Sequence, residues 1–284
     1  MRSDSSFACA GARHRILAGS GLALHALEWG TPRESGLLFL HGGSAHCHWF
    51  DAVVPVFADR FHVVALDQRG HGESHWPDPP AYRTEDFCAD LRQVLDKLGW
   101  EQVILVGHSM GGHNAMAFAA WHPEQVRGLV IVDSRPAIPL ERLLARQARG
   151  RRALRTYESA EGAAARFRLL PPETLADAAL LDHLSRAGIV EREGRWVYRF
   201  DPACNGARQP VDAWPLLSRV AAPTLITRGE WSPILPRGMA AMMAGRIPGA
   251  QLEEIPGSYH HVVLDRPVAF ASVLDRFIGS LPRP

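Results

Sequence analysis

Gly107-His108-Ser109-Met110-Gly111 sets a serine between two glycines, directly after the apolar run Val103-Ile104-Leu105-Val106 and before a small-residue segment. That context reads as a strand, a sharp turn and a helix, which exposes a hydroxyl as a nucleophile at the end of a sheet. Side chains two positions from the serine would collide with neighbouring backbone, so Gly107 and Gly111 are required. The helix N-terminus beneath Ser109 favours negative charge developing on a substrate oxygen. Acyl transfer needs two amide donors aimed at that oxygen. The expected pair is Gly43, in His41-Gly42-Gly43 after an earlier apolar run, and Met110, next to the nucleophile. A base is needed too. Gly257-Ser258-Tyr259-His260-His261 follows Leu252-Glu253-Glu254-Ile255, a last strand, and offers two imidazoles that titrate near neutrality.

The elements that must carry these residues alternate along the chain. Continuous apolar runs at 37–40, 63–66, 103–106, 129–132 and 224–227 read as strands covered on both faces. Between and after them lie helical patterns over 84–98, with Thr84 as N-cap, over 114–121 and over 268–278. Such alternation gives a mostly parallel sheet with helices on both faces. Residues 15–29 read as an antiparallel hairpin turning at Gly19-Ser20-Gly21, and residues 1–12 as a loose tail. From Arg135 to Trp214 the rhythm breaks: helical pieces appear without a central strand, as in a cap over a site. The expected division is a first core part over 1–134, a helical lid over 135–214 and a second core part over 215–284.

Composition narrows the classes. The chain has 284 residues and a formal net charge of +1, so no global field favours nucleic acid. No apolar run approaches the ~20 residues that span a bilayer. Cys9, Cys47, Cys88 and Cys204 are scattered, against a disulfide framework or a thiolate metal site and in keeping with a cytoplasmic setting. His41, His46 and His48 lie close together but lack a clear carboxylate or cysteine partner, so no metal is expected. No phosphate loop implies a nucleotide cofactor, and none is expected. The partner is then a small-molecule substrate, with the chain acting as monomer or homodimer.

The sequence resembles the α/β-hydrolase superfamily over nearly its whole length, through the motifs above and Asp67-Gln68-Arg69-Gly70-His71-Gly72-Glu73-Ser74. The resemblance implies an α/β fold with a mostly parallel eight-stranded sheet. It selects His260 rather than His261 as base, from its spacing to Gly257 and Pro267. It gives the 67–74 turn a structural role, and Arg69 and His71 no chemistry. Many members place an acid where this chain has Ser232, in Gly229-Glu230-Trp231-Ser232-Pro233. Serine holds no charge against an imidazolium. Some members carry the acid after the strand that follows the nucleophile helix, where this chain has Asp133, so Asp133 is the expected acid and Glu230 the rival. The branch acting on 2-(acetamidomethylene)succinate looks similar in the Asp-Gln-Arg-Gly-His-Gly turn, the early acid and the serine at the late position.

These residues imply a serine hydrolase cleaving an ester or lactone through an acyl-enzyme, with amide or C–C cleavage of a carboxylate-bearing substrate as the alternative. A non-catalytic ligand receptor on the same fold is the rival of another class. Chemistry that needs an aspartate nucleophile is disfavoured by Ser109. Nine arginines between Arg135 and Arg168 face only Glu141, Glu158 and Glu161. Arginine forks bind carboxylates bidentately, which makes Arg146 and Arg155 candidate substrate contacts. Trp196 and Trp214 are candidates for a stacking wall.

Overall fold

Apolar residues in the predicted strands alternate between two cores. Leu38 and Leu40 pack into one, Leu37 and Phe39 into the other, so a continuous run is what a strand buried on both sides requires. The structure, a computed structural model, describes residues 11–18, 21–33 and 35–282. Residues 1–10 of the tail expected over 1–12, Cys9 among them, and Gly19-Ser20 of the expected Gly19-Ser20-Gly21 turn lie outside them.

The strands are β1 (Arg13–Ala18), β2 (Ala23–Trp29), β3 (Ser35–Leu40), β4 (His62–Leu66), β5 (Gln102–His108), β6 (Val126–Val132), β7 (Ile189–Arg192), β8 (Arg195–Tyr198), β9 (Thr224–Gly229) and β10 (Gln251–Ile255). Eight form one sheet in the order β1-β2-β4-β3-β5-β6-β9-β10. β1 and β2 are antiparallel to their neighbours, and the pairs from β4 to β10 are parallel. The helices are α1 (Thr84–Leu98), α2 (Met110–Trp121), α3 (Leu140–Gly150), α4 (Ala160–Ala164), α5 (Ala178–Ala187), α6 (Ala203–Gly206), α7 (Arg237–Arg246), α8 (Val262–Asp265) and α9 (Pro267–Ser280). α1 and α2 belong to one core and α8 and α9 to the other.

Two local expectations shift. Thr84 is the first helical residue of α1, and the cap is Arg83, whose amide donates to Asp86 at 2.7 Å. Thr84 instead accepts the Val211 amide at 3.1 Å, tying α1 to the far end of the insertion. Between β6 and β9 the chain carries α3 to α6 and an antiparallel ribbon, β7–β8, which pairs outside the main sheet. Its two-residue turn, Glu193-Gly194, has φ of 51° and 74°, the left-handed pair that a tight hairpin needs. Trp214 belongs to a short helical turn packed against α2 and the core, with the Arg246 guanidinium 4.6 Å from its ring.

Candidate active site

Ser109 sits where β5 ends and α2 begins, at φ 53° and ψ −114°. A non-glycine residue rarely adopts such a conformation, and it persists only where the surroundings hold it. Those surroundings are visible. The Ser109 amide donates to the Val132 carbonyl at 3.0 Å, and its own carbonyl accepts Ser134 Oγ at 2.6 Å and the His113 amide at 3.0 Å. A Cβ on Gly107 would lie 2.5 Å from the Gly111 carbonyl oxygen, and one on Gly111 2.2 Å from that of Leu40. The glycines flanking the serine are therefore steric necessities. Met110 opens α2, so its amide has no acceptor within the helix. Gly43 and Met110 line the same cavity as Ser109.

Adjacent parallel strands bring the next two groups in. Asp133 follows β6, with φ 45° and no exposed surface, and its amide donates to the Thr227 carbonyl of β9 at 2.8 Å. His260 lies on the loop after β10. Its Nδ1–H donates to Asp133 Oδ1 at 2.8 Å, and it lines a cavity together with Ser109. With Nδ1 so engaged, Nε2 is the nitrogen left to take a proton. Ser232 donates to Asp133 Oδ1 at 2.6 Å and the Gly229 amide to Oδ2 at 2.8 Å. Ser232, at the position where many members carry an acid, thus clamps Asp133. Burial pushes the Asp133 carboxyl up, to about 7, against these two hydrogen bonds, which favour its charged form. Burial holds the His260 imidazole well below its ordinary range, and the charges of His261, Arg146 and Arg135 act in the same direction. A neutral imidazole able to accept a proton results.

The rival groups are occupied elsewhere. His261 donates from Nε2 to the Pro171 carbonyl at 2.8 Å. Glu230 is exposed and accepts the Gly257 amide at 2.8 Å. His41, His46 and His48 do not converge on one another's free nitrogens: His41 takes the Gln68 amide at 3.0 Å, His46 meets the Leu184 carbonyl at 3.1 Å, and His48 donates to Asp51 at 2.8 Å. The 67–74 turn is braced throughout. Asp67 accepts from His25 at 2.7 Å and from the Cys47 amide at 2.7 Å, and Arg69 forks onto Asp90 at 2.6 and 2.7 Å.

A cavity opens beside Ser109, and four arginines line it: Arg135, Arg142, Arg146 and Arg208. No carboxylate shares that lining, and among the described residues none of the four forms an ion pair. Burial and mutual repulsion lower the Arg135 and Arg146 guanidinium groups, and burial pushes Arg208 down to about 10. Arg208 is fixed by hydrogen bonds to Asn114 Oδ1 at 2.9 Å and the Tyr82 carbonyl at 3.3 Å, with Phe87 4.6 Å beneath its guanidinium. Arg208, the one of the four that is buried, is a cation costly to hold there unless an anion joins it. Of the predicted substrate contacts, Arg146 lines the cavity. Arg155, Trp196 and Trp214 line none of the three cavities that contain Ser109. Arg155 is exposed, Trp196 exchanges backbone hydrogen bonds with Tyr157 on the β7–β8 ribbon, and Trp214 packs on the core. Arg208 escaped notice because it stands alone between Ala207 and Gln209, outside the basic run.

The profile of the alpha/beta hydrolase fold matches residues 37–267. The chain belongs to this family. It is 30% identical over 253 residues to the 2-(acetamidomethylene)succinate hydrolase of Mesorhizobium japonicum, covering 87% of this chain and 91% of that enzyme. It is also 30% identical over 272 residues to the esterase Rv0045c of Mycobacterium tuberculosis, covering 92% and 87%. The crystal structure of E-2-(acetamidomethylene)succinate hydrolase superposes with a TM-score of 0.84 at 27% identity, over 95% of this chain and all of the other. This α/β-hydrolase is accordingly an enzyme, and the reading as a bare receptor falls away. Among the described residues no helix is long and apolar enough to cross a membrane.

Proposed function

We propose that this α/β-hydrolase cleaves an ester or lactone of a small, carboxylate-bearing molecule through an acyl-enzyme on Ser109. His260 Nε2 takes the Ser109 proton as Oγ attacks the carbonyl carbon. The Gly43 and Met110 amides stabilise the resulting oxyanion, helped by the positive end of α2. The imidazolium passes its proton to the leaving group as the tetrahedral intermediate collapses. His260 then deprotonates water, which releases the acid and restores the hydroxyl. Asp133 keeps Nδ1 protonated and supports the imidazolium, and Ser232 and Gly229 keep Asp133 in place. The insertion over 135–214 acts as a lid that supplies substrate contacts.

The observation that carries the substrate class is the set of four arginines beside the nucleophile, without a counter-ion in the cavity. A guanidinium pairs with carboxylate through two parallel hydrogen bonds, which orients the substrate as well as attracting it. Amide cleavage is the second reading, favoured by the relative whose name states an acetamido-bearing succinate. A pair of p-nitrophenyl esters, acetate against the half-ester of succinate, tests the class. The anionic ester should be preferred in kcat/KM, and Arg146→Met should raise its KM by roughly 10- to 100-fold while leaving the neutral ester unchanged. Equal kcat/KM for both esters in the wild type would overturn the anionic substrate class.

A further inference from the structure

Away from Ser109, two imidazoles converge on a single carboxylate oxygen where the insertion meets the core. Asp51, which ends the short turn Cys47–Phe50, has a side chain only 1% exposed. Its Oδ2 lies 2.8 Å from His48 Nδ1 and 2.8 Å from Nε2 of His183. His183 comes from α5, whose Leu180 and Leu184 are buried in the core on either side of it in sequence. The two rings stand edge-on, 5.6 Å apart, and each side chain is 18% exposed.

We propose that His48 Nδ1, Asp51 Oδ2 and His183 Nε2 form a site for a divalent transition metal of the zinc class, which pins α5 of the insertion to the core. Two imidazoles and a carboxylate are a donor set that zinc takes at about 2.0–2.2 Å, leaving a fourth position for water. Tetrahedral ligands at that range stand about 3.3 Å apart, so the atoms now bridged by hydrogen bonds separate by about half an ångström as metal replaces protons. Each nitrogen turns its lone pair to the metal, and the proton it gave to Asp51 moves to the other ring nitrogen or to solvent.

Other groupings of donors serve less well. His25, Cys47 and Asp67 are all buried, and both Asp67 oxygens already take hydrogen bonds from His25 and from the Cys47 and Glu73 amides. His108, His260 and His261 also gather ring nitrogens within 4.8 Å, but they belong to the cavity beside Ser109. The His48 site joins α5 of the insertion to the core, and both of its imidazoles are partly exposed.

Chelator-stripped full-length protein titrated with zinc by calorimetry tests the proposal, with cobalt as a visible-absorption reporter of tetrahedral geometry. A single zinc per chain should bind the wild type, raise its thermal midpoint and give tetrahedral cobalt bands. His183→Gln on the insertion and His48→Gln on the core side should each weaken zinc by at least about 100-fold, since loss of outer partners alone costs 10- to 100-fold. Should one variant fail to fold, the other carries the comparison. No zinc uptake by the wild type would overturn the proposal. So would unchanged affinity in a folded variant, which would move the metal to the His108, His260 and His261 group.

Discussion

Strands β5 and β6 bury nearly every side chain, whereas α3 of the insertion buries none. In the sheet, residues are chosen for fit. Two cores press on its faces, and Ser109 and Asp133 leave the ends of neighbouring strands with backbone angles that isolated residues would not hold. In the insertion the usual arrangement is reversed. Arg142 and Arg146 of α3 turn toward the cavity, while Leu140 and Leu144 are 68% and 54% exposed. The difference teaches a division of labour. Under the proposed function, the packed sheet holds the reacting atoms in place and the lightly packed insertion presents charge to the substrate.

The comparison breaks first at Asp133. Asp133→Asn leaves the shape intact but lets His260 adopt the wrong tautomer, so kcat should fall by roughly 10⁴-fold with unchanged circular dichroism. Turnover near wild type would remove the sheet's claim to the acid. Stability should divide along the same boundary. Leu105→Ala in β5 should cost about 2–5 kcal/mol in denaturant titrations, through lost burial and a cavity. Leu144→Gln on α3 should stay within about 0.5 kcal/mol. An effect smaller than that of Asp133→Asn is expected at Ser232→Ala, which removes one hydrogen bond to a charged group. The loss of about 1.5 kcal/mol predicts roughly a 10-fold drop in kcat, with KM little changed.

What could be read in advance follows the same division. Strands buried on both faces write themselves as apolar runs, and the serine turn writes itself as glycines at fixed offsets, because both are short-range necessities. The mostly parallel pairing was legible for that reason, and the count of eight strands from the resemblance. The contact between Asp133 and Ser232 joins residues 99 positions apart. Only resemblance pointed to its two ends, and nothing in the sequence said that they touch. The β7–β8 ribbon was hidden because its strands are four residues each and half-exposed, too short for an alternating pattern to stand out. Trp196 and Trp214 attracted attention as aromatics near the insertion's end. Burial, rather than proximity in sequence, decided where each packs.

The central claim is that a sheet-held serine forms a covalent acyl intermediate beneath an arginine-lined cavity. Acid quenching during turnover of the succinate half-ester, followed by peptide mass mapping, reads it directly. The account predicts a succinyl adduct on the peptide containing Ser109 that is absent in Ser109→Ala. Sustained hydrolysis by Ser109→Ala, or an adduct confined to another residue such as Cys204, would contradict it.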